Sequence, residues 1–357
     1  MHILINDFIG GVLDRGIPLY TRNLIRGLRE EGFEVSVVRA PGAFRMLPRN
    51  LFYMIAVLVE QTVLPVLGYL LHADLTLYPY NSLAIADLLT RRGRIVVHDL
   101  EQLNRPLSFS KIYYLLCYRA VKWRNAPILT ISELTRQRLT ESGLFGDGAI
   151  TILPNTFYAF ERFLRARKLA AADARSLLLC TGSTANKDIE TVVTDYLPAL
   201  LARGYRVSVL GLHKAGDAPK LAALQSFIDS GQLRICGRLS DRAVAREYRA
   251  HPIVWVHSLR EGFGRCVVEG RLAGSRVICT DIPEFAGLRD SDVYLYDNAA
   301  AFLATLERVE QLERTAAPVA PYRTYAYREL LRNAISESFQ AAGTARGVPQ
   351  PQPGAVA

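Results

Sequence analysis

The sequence lacks several signatures that would identify common enzyme classes. No predicted strand is followed by a GxGxxG turn with an acidic residue about 20 positions later, which argues against a dinucleotide-dependent dehydrogenase. The six histidines are scattered, and no group of histidines, cysteines and acidic residues has metal-ligand spacing; the DSD at 290–292 is a chance match. Five cysteines without a CxxC pair predict buried free thiols. We therefore expect neither a metal nor a bound organic cofactor.

Neither a targeting segment nor a strongly charged arm is evident. The chain begins MHILIND, a strand pattern rather than a charged and then apolar signal segment, which predicts a cytoplasmic protein. The formal charge is +9. Residues 1–150 carry 17 basic and 13 acidic side chains, and the remainder carries 26 and 21. This even excess predicts no nucleic-acid partner and fits phosphorylated ligands or an anionic membrane surface.

One apolar stretch is long enough to cross a membrane. It is LFYMIAVLVEQTVLPVLGYLL, residues 51–71. Glu60, Gln61 and Pro65 lie near its middle, and an ionised carboxylate is costly in lipid. The stretch is therefore predicted to form one or two buried helices.

Short β-rich runs alternate with helical patterns along the whole chain. Runs that are apolar on both faces and separated by helices predict parallel sheets covered on both sides. The predicted strands are 2–6, 34–40, 73–78, 94–99, 126–132, 149–154, 176–182, 206–212, 232–237, 252–258, 275–281 and 293–297. The fold class is α/β, with two Rossmann-like, doubly wound parallel-sheet domains facing a cleft.

The domain bounds follow from where the strand pattern stops. Residues 1–165 form the first predicted domain and residues 170–320 the second. A helix at 321–340 is expected to pack back towards the first domain, and the Pro/Gly/Ala-rich tail 341–357 is expected to be disordered. Ligands bind beyond the carboxyl ends of strands in such sheets, so chemistry is expected there.

The stretch EGFGRCVVEG, residues 261–270, follows the tenth predicted strand. It combines a Gly-containing turn with a helix start, which presents unpaired N–H groups to an anion. Glu261 can accept hydrogen bonds from ligand hydroxyls, and Glu269 can bind a vicinal diol such as a ribose. Alternatively, Glu261 caps the helix and Glu269 is a solvated charge.

The segment HSLREGFGRCVVEGRLAGSRVICTDIPEF resembles the signature region of retaining nucleotide-sugar glycosyltransferases of the GT-B fold, family 4 type. That family carries two glutamates separated by seven residues. Further blocks resemble the family in its expected order: DFIGGVLDRGIPLYTRNLIRGL, LVEQTVLP, IVVHDL, LTISELTRQRL, ILPNT, CTGSTANKD and ICGRLSDRAVAREY. The resemblance covers most of the chain, and the LVEQTVLP block is most similar to bacterial polysaccharide mannosyltransferases.

The resemblance implies roles for residues of the second half. Glu261 contacts hydroxyls of the donor sugar, Glu269 holds the nucleotide ribose, and the amides around Gly262, Phe263 and Gly264 hold the sugar and the diphosphate. Lys187 stabilises the charge of the leaving diphosphate; the alternative is a solvated surface lysine.

The sequence departs from the family pattern beside this lysine. Ser183 stands near the place of an arginine that the family carries, and Arg265 or Arg238 could supply the second positive charge. His257, Arg265 and Cys266 also replace commoner residues of the motif, which suggests a specialised donor or acceptor.

In the first half, Gly10 and Gly11 follow the first strand, and the resemblance makes them a loop that closes on the donor phosphate, with charge from Arg15. A tight turn is the alternative. His98 is expected near the donor sugar and acceptor, with Asp99 orienting it, or else as a capping or core residue. The mixed aromatic and basic stretch 108–124 is either a surface helix or an interfacial helix on anionic lipid.

The sequence thus predicts a retaining, metal-independent hexosyltransferase. It would move a sugar, preferably mannose from GDP-mannose, to a saccharide or lipid-linked saccharide in bacterial lipopolysaccharide or exopolysaccharide synthesis. The protein would be cytoplasmic, either free or peripheral on the inner face of the membrane. A GT-B sugar-nucleotide epimerase and a non-catalytic partner subunit are the alternatives.

Overall fold

The structure of the chain, a computed structural model, consists of two compact units. Unit 1 is Met1–Thr156 with Thr324–Ala357, and unit 2 is Phe157–Arg323. The structure describes residues 1–12, 16–100, 103, 106–146, 148–165, 175–182, 184–212, 217–289, 292–312 and 324–342.

Unit 1 is built on a six-stranded parallel sheet. Its strands are β1 His2–Asn6, β2 Glu34–Val38, β3 Leu75–Tyr78, β4 Gly93–Val97, β5 Ile128–Thr130 and β6 Ile150–Ile152. They lie in the order β2-β1-β3-β4-β5-β6, so the chain progresses in opposite directions on the two sides of the β1/β3 junction. Such a switch point leaves a crevice at the carboxyl ends of the two strands.

Helices accompany the strands of unit 1. They are α1 Ile17–Glu30, α2 Arg49–Leu70, α3 Ile85–Leu89, α4 Phe109–Arg124, α5 Glu133–Glu141 and α13 Thr324–Ala342. The last of these packs on unit 1: Ser338 O accepts a 2.7 Å hydrogen bond from Arg94, and Phe339 stacks on Phe33. The C-terminal helix therefore completes the first unit.

Unit 2 repeats the plan with a second six-stranded parallel sheet. Its strands are β7 Ser176–Cys180, β8 Arg206–Leu210, β9 Leu233–Ile235, β10 Ile253–Val256, β11 Arg276–Thr280 and β12 Val293–Tyr296. The order is β12-β11-β10-β7-β8-β9, which puts the switch point between β7 and β10. All twelve predicted strands are present within a few residues of their predicted bounds.

The helices of unit 2 cover a large aromatic core. They are α6 Tyr158–Arg165, α7 at residues 189–202, α8 Ala218–Asp229, α9 Asp241–Ala250, α10 Arg265–Leu272, α11 Pro283–Ala286 and α12 Ala299–Glu310. Trp255 is fully buried and donates a 2.7 Å hydrogen bond to Tyr296. The ring centre of Phe302 lies 4.7 Å from that of Trp255.

Two helices contain a π turn in front of a proline. In α2 the turn is Val59–Val63 before Pro65, and in α7 it is Val192–Tyr196 before Pro198. Proline has no N–H to donate and crowds the carbonyl four residues earlier, so a wider turn relieves a conflict that a regular helix would retain. In the sequence, the dipeptide Leu-Pro directly follows each of the two π turns.

Helix α2 corrects the prediction of buried helices at 51–71. It is one continuous helix, long and apolar enough by length and composition to cross a membrane, and 28% of its most apolar window is buried. One face packs on the unit through Phe52, Ala56, Leu64 and Gly68. The opposite face is also apolar and remains exposed, so an apolar composition did not mean burial.

The five cysteines are free thiols, as predicted. Cys117, Cys180 and Cys279 are buried, whereas Cys236 and Cys266 are partly exposed. The prediction that the cysteines are buried is therefore confirmed for three of the five.

Candidate functional site

The first candidate site lies at the switch point of the unit 2 sheet. The turn Ala185–Lys187 follows β7, and the loop after β10 docks on it. Asn186 Nδ2 donates to Arg260 O at 2.8 Å, Leu259 N donates to Asn186 O at 2.7 Å, and Ser258 Oγ lies 3.0 Å from the same carbonyl. These bonds fix the two loops to each other and place their side chains together.

Lys187 and Glu261 form an ion pair across the two loops. Their side chains are 15% and 19% exposed. Burial acts to lower the pKa of Lys187, but the Glu261 carboxylate raises it, and the net result is a pKa above the usual value. Lys187 is therefore a cation at neutral pH, held in a largely dehydrated position.

Helix α10 begins beside this pair. Gly264 is its N-cap with φ of +82°, a left-handed conformation that favours glycine. A Cβ at Gly264 would lie 2.8 Å from the Phe285 ring, so close packing also requires glycine. No described side chain caps the helix, and its first amides are suited to an anion.

A second ion pair lies on the first turns of α10. Arg265 donates to Glu269 Oε1 at 2.9 Å, with side chains 18% and 12% exposed. The guanidinium of Arg265 also lies 4.5 Å from the centre of the Phe157 ring. Phe263 is buried and its ring centre is 6.4 Å from that of Phe157. Phe263 packs against Phe157, and the Phe157 ring in turn holds the guanidinium of Arg265 in place.

Unit 2 therefore brings together most residues that the sequence predicted for it: Lys187, Glu261, Gly262, Phe263, Gly264, Arg265 and Glu269. The sequence did not predict that each glutamate is paired with a cation. It also missed the role of Asn186 in joining the loops, for which the GSTANKD block gave no signal.

In unit 1, Gly10 and Gly11 lie in a short helical turn after β1. A Cβ on Gly10 would lie 1.9 Å from Asp7 Oδ1, and one on Gly11 would lie 2.1 Å from Ala40 O. Asp7 is buried, accepts a hydrogen bond from Tyr80 at 2.7 Å and pairs with Arg39. Close packing is sufficient reason for both glycines.

His98 follows β4 at the same edge of the sheet. It is buried, its Nε2 lies 3.0 Å from Pro79 O, and its ring centre lies 4.7 Å from that of Tyr20. A carbonyl only accepts, so Nε2 carries the proton and Nδ1 has the lone pair. Burial lowers the pKa of His98 to about 4, so the ring is neutral at pH 7.

A carboxyl group that the sequence did not predict as a site residue lies at the β1/β3 switch point. Glu60 is 4% exposed and belongs to the π turn of α2. It accepts hydrogen bonds from Asn6 at 2.6 Å, from Ser82 at 3.0 Å and from Tyr113 at 2.5 Å. The available signal was its position inside an apolar helix, where a carboxyl group is rare unless it has hydrogen-bond partners.

Some predictions lie outside the described residues, namely the roles of Arg15 and Ser183, most of the DSD match and the disordered tail beyond residue 342. Among the described residues, no group of three or more histidine, cysteine, aspartate or glutamate side chains is arranged to hold a metal ion.

Part of the chain matches a known protein family. Residues 175–311 match the family described as glycosyl transferases group 1, and this segment contains Lys187, Glu261 and Glu269. No curated protein matches the chain.

Solved structures resemble the chain over most of its length. A glycosyltransferase from Rickettsia africae is 14% identical with a TM-score of 0.68, covering 95% of this chain and 98% of its own. Sucrose-phosphate synthase from Thermosynechococcus elongatus is 15% identical with a TM-score of 0.64, covering 96% and 94%. The fold is GT-B.

A further GT-B neighbour is Alr3699/HepE from Anabaena, solved in complex with UDP and glucose. It is 15% identical with a TM-score of 0.57, covering 95% of both chains. The domain match and these neighbours together support a GT-B glycosyltransferase.

Proposed function

We propose that the protein is a retaining glycosyltransferase that uses a nucleoside-diphosphate sugar as donor, bound by unit 2. The observation that carries the proposal is the pair of ion pairs, Lys187 with Glu261 and Arg265 with Glu269, at the start of α10. Both lie at a switch point, where α/β sheets bind ligands, and within the residues that match the glycosyltransferase domain.

Donor binding would exchange the partners of these four groups. The diphosphate of the donor takes Lys187, Arg265 and the first amides of α10, because it carries more charge than one carboxylate. Glu261 and Glu269 are then released to accept hydrogen bonds from hydroxyl groups, Glu261 from the sugar and Glu269 from the ribose. Arg265 thereby supplies the second cation that the sequence lacks near Ser183.

The same cations stabilise the leaving group. As the glycosidic bond breaks, negative charge grows on the diphosphate, and preorganised positive groups lower the energy of that state. The departing phosphate takes the proton of the acceptor hydroxyl on the same face of the sugar, which retains the anomeric configuration. Because protein groups carry the phosphate charge, the proposed reaction needs no metal ion.

Unit 1 would bind the acceptor, a saccharide or lipid-linked saccharide, near His98. The neutral ring can accept a hydrogen bond from a hydroxyl group through Nδ1 but does not supply a positive charge at neutral pH. Gly10 and Gly11 lie beside β1 at the same edge of the sheet.

The exposed faces of α2 and α4 favour a lipid-linked acceptor and a peripheral membrane position. On α2 and α4 the exposed large apolar residues are Leu51, Met54, Leu58, Val63, Val66, Tyr69, Leu70, Phe109, Ile112, Leu116 and Trp123. Helix α4 carries four basic residues and no acidic one, and the one acidic residue of α2, Glu60, is buried. Apolar stripes with charge of one sign suit an anionic lipid surface and disfavour a second copy of the same chain.

The lipid contact is tested by sedimentation with vesicles. The protein is expected to bind vesicles that contain phosphatidylglycerol and not vesicles of phosphatidylcholine alone. Leu116→Glu should abolish binding, because it puts a negative charge into the apolar stripe, while the matched control Leu312→Glu in unit 2 should bind normally. Equal binding by both variants would contradict a membrane surface on α4.

The donor is tested by thermal shift. We favour GDP-mannose, as the LVEQTVLP block suggests, and place the reaction in bacterial surface polysaccharide synthesis at the cytoplasmic side of the membrane. A panel of GDP, UDP, dTDP and CDP with their common sugars should raise the melting temperature with one base only. A ligand at a hundred times its Kd stabilises by about 2.7 kcal/mol. No shift with any of them in folded protein would contradict the proposed function.

A further inference from the structure

A cavity of about 360 Å³ lies in unit 1, between the end of α3 and the end of α4. This volume is within the range of about 300–1,000 Å³ that small-molecule sites occupy. The residues that line it are Arg91, Arg94, Arg124, Asn125 and three apolar residues. We call it the arginine pocket. Three cationic side chains around one cavity of this size point to an anionic ligand.

The arginine pocket lies at the amino ends of the strands of the unit 1 sheet. Arg91 comes directly before β4 and Asn125 comes before β5, and the two strands pair in parallel. The switch-point residues Asn6 and His98 lie at the carboxyl ends of their strands, which is the opposite edge of the same sheet. The pocket is therefore separate from the sites proposed for the donor and the acceptor.

Arg94 places a buried positive charge at the pocket. It is 2% exposed, and its guanidinium donates to Arg91 O at 2.8 Å, to Gly93 O at 2.9 Å and to Ser338 O at 2.7 Å. Its Nε is buried and makes no hydrogen bond among the described residues. Burial lowers the pKa of Arg94 to about 10, so the group is still charged at neutral pH. Its three acceptors are neutral carbonyls, and a nearby anion would offset the cost of burying the charge.

The ends of the two helices do not account for this much positive charge. Helices α3 and α4 both end at the pocket, and a helix C-terminus carries about half a negative charge. The two ends together therefore balance about one of the three arginines. The remaining excess is what an anion with one or two negative charges would neutralise.

The arginines favour a phosphate group as the anion. A guanidinium presents its N–H donors in a planar fork that matches two oxygens of a phosphate, and Asn125 carries a further side-chain N–H donor. Charge-assisted hydrogen bonds of this kind are about twice as strong as those between neutral groups.

Exposed apolar residues beside the pocket favour a lipid as the source of the phosphate. Ile85 and Leu89 are exposed on α3. Trp123 on α4 is 72% exposed, and the guanidinium of Arg124 lies 5.6 Å from its ring centre. Tryptophan is enriched where a membrane meets water, and basic pockets beside apolar helices bind lipid headgroups.

We propose that the arginine pocket binds a phosphate group, and that this group belongs to the headgroup of an anionic membrane lipid. The phosphate lies between Arg91 and Arg124, and the acyl chains lie against the exposed residues of α3 and α4. The site goes beyond the proposed function, because no step of the sugar transfer requires it. It gives α4 a specific lipid contact at one end, in addition to the apolar stripe along the helix.

The test measures binding of dihexanoyl phosphatidylglycerol, below its micelle concentration, to the full chain by calorimetry. Arg91→Asn and Arg124→Gln should each weaken binding about tenfold. Both side chains are at least partly exposed, and asparagine tolerates the φ of +61° at position 91, so both variants should fold. Arg94 is unsuitable for substitution because its buried guanidinium joins β4 to α13.

Arg92→Gln is the matched control. Arg92 is the neighbour of Arg91 and does not line the pocket, yet the change removes the same charge. Its affinity should stay within twofold of the wild type. Equal weakening by Arg91→Asn and Arg92→Gln would show a diffuse attraction of the basic surface and would overturn the pocket.

Two soluble probes distinguish a lipid from a free phosphate. Inorganic phosphate and glycerol 3-phosphate carry the anion without acyl chains. Binding of the lipid at least tenfold tighter than that of glycerol 3-phosphate supports the lipid headgroup. Equal affinities, still weakened by Arg91→Asn and Arg124→Gln, would support the phosphate site and overturn the lipid as its source.

The outcome for the pocket is independent of the outcome for the donor site. Glycerol 3-phosphate should bind Lys187→Ala as it binds the wild type, which excludes the cations of unit 2 as the origin of the signal. Nucleoside diphosphates should bind Arg91→Asn and Arg124→Gln normally. If none of the three phosphate probes binds the wild type, or if both variants bind as the wild type does, the proposal is overturned.

Discussion

The sheets of the two units have corresponding switch points, but the carboxyl groups at these two points have different partners. At the unit 1 switch point, Glu60 is buried among neutral donors and aromatic rings. At the unit 2 switch point, Glu261 and Glu269 are each paired with a cation beside a helix start. The second arrangement presents cations to an anionic ligand such as a diphosphate, whereas the described hydrogen-bond donors to Glu60 are all neutral.

The difference follows from how each site compensates a carboxylate. Without a cation, burial dominates and raises the pKa of Glu60 to about 7, so the group changes charge near neutral pH. In unit 2 the ion pairs compensate the charges, and the pKa of Lys187 stays above its usual value despite burial. The fold thus places a buried carboxyl group with neutral partners at one switch point and ion-paired carboxylates at the other.

The largest expected effect concerns the charged site. Lys187→Ala removes a preorganised cation from the leaving diphosphate and should lower turnover by more than tenfold, since the loss of one such group costs about 2–4 kcal/mol. Steady-state kinetics with the donor selected by thermal shift measure the effect.

A lysine on α8 of the same unit provides the matched control for this change. Lys220→Ala should turn over as the wild type does. Near-normal turnover of Lys187→Ala would contradict the proposed role of Lys187 at the leaving diphosphate.

The buried carboxyl group of Glu60 gives a prediction about stability. The pKa of Glu60 rises from 4.5 to about 7 on folding, so below pH 4.5 the group costs nothing, and the folded state loses stability as the pH rises through 7. This difference corresponds to about 3 kcal/mol. Glu60→Gln carries no such pH-dependent cost.

Thermal melting at pH 5 and pH 8 measures it. The melting temperature of Glu60→Gln relative to the wild type should be higher at pH 8 than at pH 5, with Glu133→Gln as the control that shows no such change. A difference independent of pH would mean that Glu60 ionises normally and that the two sites do not differ as described.

The smallest effect is expected at Glu269. Glu269→Ala removes a carboxylate proposed to hold the ribose, and hydrogen bonds to charged groups contribute about 1.5–3 kcal/mol. The calorimetric Kd of the nucleoside diphosphate should rise about tenfold. Because Arg265 also loses its partner, Glu269→Gln serves as the variant of similar size, and unchanged affinity in both would rule out the ribose role.

Most of the architecture could be predicted from the sequence. Strands such as 176–182 and 252–258 are apolar on both faces, which is the pattern of a covered parallel sheet, and both appear as predicted. The burial of α2 could not be predicted, because residues on both of its faces are apolar and composition does not reveal which face packs. The π turns could be predicted only from the proline that follows each of them, because a proline disrupts the hydrogen bonding of the helical turn before it.

The site was predictable in part. The positions of Glu261 and Glu269 around a Gly-containing helix start indicated an anion site, but their pairing with Lys187 and Arg265 depends on distances between loops. Glu60 was missed because its partners lie 54, 22 and 53 positions away along the chain. No local pattern contains such a cluster.

The proposal that the diphosphate binds at the ion-paired switch point of unit 2, and not at the Glu60 switch point of unit 1, is tested most directly by one calorimetric experiment. The nucleoside diphosphate selected by the thermal-shift panel is titrated into wild type, Lys187→Ala and Glu60→Gln. The account predicts that Lys187→Ala weakens binding at least tenfold and that Glu60→Gln binds as the wild type does. Equal loss in the two variants, or full affinity in Lys187→Ala, would contradict it.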